Sequence, residues 1–105
     1  MKIIKKNIKI VTKYINEYVD IEESQYTNNR KAISLVDTNT GEPVAVATVN
    51  LPELQPETPN HVFLKGWSEN EGLPEALADN NIVRLTGHIT PTGFVEAQEA
   101  ILIED

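Results

Sequence analysis

Residues 32–51 read AISLVDTNTGEPVAVATVNL, two apolar, β-branched runs on either side of a segment rich in Asp, Thr, Asn, Gly and Pro. In the second run Val44, Val46, Thr48 and Asn50 fall on one side of an extended chain, and Ala45, Ala47, Val49 and Leu51 on the other. Pro43 has no N–H to give a ladder, so it marks where that strand begins. The pattern is a hairpin over 32–51. A second one closes the chain, with IVRLTGHI and FVEAQEAILI on either side of PTG and Gly93 supplying the positive φ of the turn. Strands joined by such tight turns pair antiparallel, since a parallel pair needs a crossover of about a dozen residues or more.

The N-terminal segment admits two periods. Ile8, Ile10 and Thr12 alternate with Lys9, Val11 and Lys13, whereas Ile4, Ile8, Val11, Ile15 and Tyr18 keep helical spacing. Ile, Val, Thr and Tyr lose χ1 freedom in a helix, which favours the strand. Tyr18, Asp20 and Glu22 against Val19 and Ile21 then give a second extended piece, and Asn28-Asn29 a turn. LPELQPETPN, residues 51–60, carries three prolines and reads as a connection, followed by a short strand in HVFLKG.

One segment has helical character. Ser68 and Glu71 have the form of a capping box, but Pro74 must sit in the first turn of any helix that contains it. The expected helix therefore starts near Asn70 or Glu71, turns Leu73, Ala76 and Leu77 inward, and stops at Asn80-Asn81. The whole chain reads as one small α+β domain: a mainly antiparallel sheet of about six strands, curling towards a half-barrel, with one short helix.

Charge divides this domain. Residues 1–31 hold seven bases against four acids, +3, and residues 32–105 hold two bases against twelve acids, −10, for a total of −7. A body this acidic repels phosphates, so direct nucleic-acid binding through it is not expected. The chain has no cysteine, which removes thiol nucleophiles, disulfides and thiolate metal sites. Five lysines up to position 13 interrupt every apolar run of the N-terminus before it reaches signal-peptide length, and no run approaches a membrane span. The expected location is the cytoplasm, which the family resemblance described below makes that of a bacterial cell.

No motif carries catalysis. DTNTGE resembles the start of a calcium loop, yet Gly41 falls at position 5 and Thr48 at position 12, so a hairpin turn is the better reading. His61 and His88 lie in no metal or triad context. Five single glycines make no phosphate cradle. No catalytic residue, metal or cofactor is expected. What remains is Trp67, the one tryptophan, beside the acids Glu69, Glu71, Glu75 and Asp79. Trp67 can close the open end of the core or anchor a protein contact. The four acids form either a solvated face or a docking face.

The stretches NNRKAISLVDTNTGEPVAVATVNLP (28–52), KGWSENEGLPEAL (65–77) and TGHITPTGFVEA (86–97) together resemble a small family of uncharacterised bacterial domains often carried by bacteriophages and mobile elements. Gly41-Glu42-Pro43 matches its turn, Thr48 to Pro52 its strand end, Trp67 to Gly72 its helix approach, and Thr86-Gly87 with Thr92 to Val95 its closing hairpin. The first 25 residues lie outside the resemblance. The missing catalytic set, the −10 body and the single tryptophan lead to the expectation of a non-enzymatic accessory protein that binds another protein; the resemblance implies a phage or mobile-element origin, and with it a host or element-encoded partner, for example in the inhibition of host defence. Two alternatives stand beside that expectation: an acidic DNA mimic, and a homo-oligomer formed by pairing of exposed edge strands.

Overall fold

Alternation at the N-terminus does produce extended structure: β1 (Lys2–Val11) and β2 (Asn16–Gln25) form an antiparallel pair. The computed structural model describes residues 2–54 and 58–103. β3 (Lys31–Asp37) and β4 (Pro43–Val46) continue the meander, so the first sheet has the order β1-β2-β3-β4. A second sheet contains β5 (His61–Leu64), β6 (Val83–Thr92) and β7 (Val95–Leu102) in the order β5-β7-β6. All pairs are antiparallel, and the short helix α1 (Leu73–Asp79) completes an α+β fold. The described residues form seven strands in two sheets where the sequence pattern gave about six in one.

The difference arises at Ala47 and Thr48. Sequence alternation continues to Leu51, but β4 ends at Val46 and both Ala47 and Thr48 are buried. Here the chain changes partners. Ala47 N–H still donates to Ile33 O at 2.8 Å in the first sheet, while Ala47 O accepts from Lys65 N–H at 2.8 Å and Val49 N–H donates to Phe63 O at 2.9 Å in the second. Thr48 pairs with Leu64 as an isolated bridge. Ile33 N–H donates instead to Thr48 Oγ1 at 3.2 Å, and the Tyr26 hydroxyl shares a hydrogen bond with that oxygen at 2.9 Å. The 51–60 connection is described at its two ends; residues 55–57 lie outside the described residues.

Through this crossover the two sheets form one curved layer that begins at β1 and finishes at β6. α1 touches both of those end strands and lies across the gap between them. Its Leu73 and Leu77, each fully buried, join Ile10, Val19, Ile21, Ile33, Leu35, Leu64 and Ile82 in one core. The layer is open, with a helix in its seam.

The approach to the helix departs from the capping-box expectation. Ser68–Asn70 is a 3-10 turn, Ser68 has φ 54°, and no side chain caps either element. α1 starts only at Leu73, behind Gly72 in a left-handed conformation, with Pro74 in its first turn as expected. The Asn70 amide explains the turn: it is buried and donates to Val46 O at 2.8 Å, tying the approach to the end of β4. Asn81, with φ 60°, ends the helix in the expected left-handed stop.

Replacing Thr48 by Val removes the acceptor of a buried N–H and should cost about 1–3 kcal/mol, whereas Ser at that position should retain most of the stability. Urea unfolding measures both, and equal midpoints for the two variants would refute the role given to the hydroxyl.

Candidate functional site

The five residues singled out from the sequence reach different parts of the molecule. Trp67 is half-buried and packs with Val49 and Leu54 around Leu51, Phe63 and Ala97. This small cluster lies on the face of the second sheet away from the main core, because Phe63 pairs with Glu99 while its neighbours Val62 and Leu64 face inward. Glu71, Glu75 and Asp79 are exposed, and Glu75 Oε2 accepts a hydrogen bond from Gln98 Nε2 at 3.1 Å. Glu69 lines a cavity.

That cavity, of about 420 Å³, opens at one end of the first sheet. An antiparallel meander brings its alternate turns to the same end, so the β1–β2 turn and the β3–β4 turn are neighbours here. Tyr14 comes from the first turn, Glu17 from the start of β2, Asp37 from the end of β3, Glu42 from the second turn and Glu69 from the 3-10 turn. Four carboxylates thus surround one cleft with an exposed tyrosine at its edge, and the Lys13 ammonium sits 5.4 Å from the centre of the Tyr14 ring. The carboxylates ring the cleft without converging. Among the described residues, no group of three or more His, Asp or Glu is placed to hold a metal ion.

Asp37 is held by its own turn. Its Oδ1 accepts from Thr40 N–H at 3.0 Å and Asn39 N–H at 2.8 Å, and these two bonds hold its carboxyl below the usual carboxylate range. The same residues close the hairpin: Asp37 N–H donates to Glu42 O and Gly41 N–H to Asp37 O, both at 2.8 Å, with Gly41 at φ 76°. DTNTGE is therefore a turn whose aspartate is kept ionised by its own backbone.

Both histidines sit at strand positions with local partners. His61 Nδ1 lies 2.8 Å from Thr58 Oγ1. His88 is largely exposed, with Nδ1 3.7 Å from Glu99 Oε1, which itself accepts from Thr86 Oγ1 at 2.8 Å. Among the described residues, no helix is long and apolar enough to cross a membrane. No family model, characterised protein or solved structure matches the chain, so the cleft is interpreted from its own geometry.

The depressed Asp37 value fixes the sign of an acid effect. Its contribution to the turn is complete above the ordinary aspartate value and is lost as pH falls through the lower folded value. A carboxyl-detected NMR titration should show Asp37 titrating below the exposed acids, with Asn39 and Thr40 amide shifts following the same midpoint. Titration of Asp37 together with the exposed acids would contradict the geometry.

Proposed function

We propose that the protein is a non-enzymatic binding protein that captures a basic surface of a partner protein in the cleft of Tyr14, Glu17, Asp37, Glu42 and Glu69. The observation that carries this reading is the placement of four carboxylates, from four separate segments, around the rim of one cavity with an exposed aromatic edge. Clustering like charges at one place raises their mutual repulsion, and a cationic partner side chain relieves it. A cavity of this size accommodates one or two Lys or Arg side chains, and Arg suits it better because its planar guanidinium pairs with two carboxylate oxygens at once and stacks on a ring. The acidic body would also accelerate encounter with such a partner.

In this reading Glu69 is a contact residue, and Trp67 supports the surface from its packed cluster instead of touching the partner. Glu71, Glu75 and Asp79 extend the acidic field beyond the cleft. The resemblance to phage and mobile-element domains supports an accessory role, with a host or element-encoded protein as the partner. A DNA mimic uses the same carboxylates as phosphate substitutes, and it is distinguished by whether short duplex DNA displaces the partner.

The test is capture from a bacterial lysate by wild type and by a Glu42→Lys, Glu69→Lys variant. Both positions are exposed, so the variant should unfold within about 0.5 kcal/mol of wild type. A basic protein lost only from the variant, and bound more weakly at high salt, is the expected result. Identical capture by both chains, or binding indifferent to salt, would overturn the proposal.

A further inference from the structure

α1 closes only one end of the seam between β1 and the second sheet. Its approach stands against Thr12, just beyond β1, where a Cβ added to Gly72 would lie 3.6 Å from the Thr12 Cβ. At the other end of β1 the seam stays open as a cavity of about 320 Å³. Ile82 and Leu102, 1% and 3% exposed, form its floor, and Ile3 and Ile103 its rim. The chain leaving the helix meets the end of β7 here. Ile82 N–H donates to Leu77 O, and Ile103 N–H donates to Ile82 O, both at 3.0 Å.

Register sets the charge at this end of the interior. Val19, Ile21 and Glu23 alternate on the inward side of β2, so Lys2, opposite Glu23, and Lys5, opposite Ile21, share that side. Glu23 is engaged by a third lysine: Lys31 Nζ lies 3.6 Å from its Oε1, with both side chains largely buried. Three bases thus stand with one acid, an excess of two positive charges in a chain whose total is −7. Protection of the β1 edge accounts for lysines in solvent, such as Lys6 and Lys9. It does not call for an aliphatic cavity beside Lys2 and Lys5.

We propose that this cavity binds a medium-chain aliphatic carboxylate, its chain on Ile82 and Leu102 and its head group at Lys2 and Lys5. The open mouth of a curved sheet is a common place for a small-molecule site. Size limits the chain. At roughly 30 Å³ for a water-sized group, the cavity holds about ten such groups, which fits octanoate and is far too small for a diacyl lipid. Charge fixes the head. The local positive excess attracts a carboxylate, gives a neutral chain of the same length nothing, and repels an amine. The aliphatic walls then reward length, each buried methylene strengthening binding about fourfold.

The whole chain, labelled with ¹⁵N, is titrated by NMR with octanoate, octanol, butyrate and N-acetyl-leucine. Octanoate should shift the amides of Ile4, Lys5, Ile82 and Ile103 saturably, with a dissociation constant on the order of 100 µM. Butyrate, four methylenes shorter, and octanol, without the charge, should each bind at least about tenfold more weakly. Lys2→Gln with Lys5→Gln should weaken octanoate about tenfold and leave octanol within about twofold. Lys6→Gln with Lys9→Gln, the same charge change on the same strand, should leave octanoate within about twofold. Circular dichroism checks that both variants fold, and the ligand series on wild type decides the matter if the first does not. No saturable shift, shifts centred elsewhere, or equal binding of octanoate and octanol would overturn the proposal. So would equal weakening by the two lysine variants, or tighter binding of N-acetyl-leucine, which would assign the site to a peptide terminus.

Discussion

The hydroxyl of Thr48 stands where the ladder of one sheet ends and that of the other begins. Ala47 gives its N–H to β3 and its carbonyl to the chain after β5, so Ile33 N–H would be left facing a carbonyl already directed elsewhere. An unsatisfied buried donor costs about as much as a sizeable share of a small domain's stability. Thr48 Oγ1 takes that donor, and Tyr26 holds the oxygen in place from the far side. The crossing is further clasped by the β2–β3 turn, where Arg30 donates to Leu51 O at 2.6 Å and to Pro52 O at 3.4 Å and Lys31 donates to Asn60 Oδ1 at 2.6 Å. Two small sheets of four and three strands, each marginal by itself, therefore share one core.

A layer assembled in this way is left with two free edges and a gap, and the sequence deals with each separately. The gap receives α1, whose two turns suffice to bury Leu73, Pro74 and Leu77 and to pack Ala76 and Ala78 against the core. β1 is irregular at Asn7, which adopts φ 57° and sends its N–H to Asp20 instead of a β-strand partner. β6 has Gly87 at φ 89° in its own break in register. These irregularities twist the edges away from further addition. The lysines of the N-terminus acquire a physical role through this placement: they are the charges that keep a long edge strand from recruiting another chain.

Much of this was legible in local pattern. Alternation gave the N-terminal strands over the competing helical period, because β-branched side chains decide between them; Pro43 and Pro74 marked where β4 and α1 begin, and Asn81 where α1 ends. The sheet change at Thr48 was hidden because alternation continues through it: Val49 and Leu51 remain apolar, but they serve the small Trp67 cluster on the other side of the second sheet. The Ser68–Glu71 pattern misled for a related reason. The segment is shaped by Asn70 reaching β4, a contact 24 positions away in sequence, and not by its own cap. The cleft was illegible altogether, since Glu17, Asp37, Glu42 and Glu69 are scattered along the chain and only the meander's turn geometry brings them together.

The same topology explains why the charge division matters. Opposite charges distributed evenly over a surface largely cancel within a Debye length of roughly 8 Å, leaving little field to select a partner. Here seven of the nine bases lie in residues 1–31, on β1, the turns that flank β2 and the first position of β3, and twelve of the sixteen acids lie in residues 32–105. β1 lies at one rim of the layer and pairs with β2, which carries Glu17, Asp20, Glu22 and Glu23, so the excess of acids belongs to the rest of the chain. At the cleft the carboxylates of Glu17, Asp37, Glu42 and Glu69 outnumber the Lys13 ammonium at its edge, so the local field is negative.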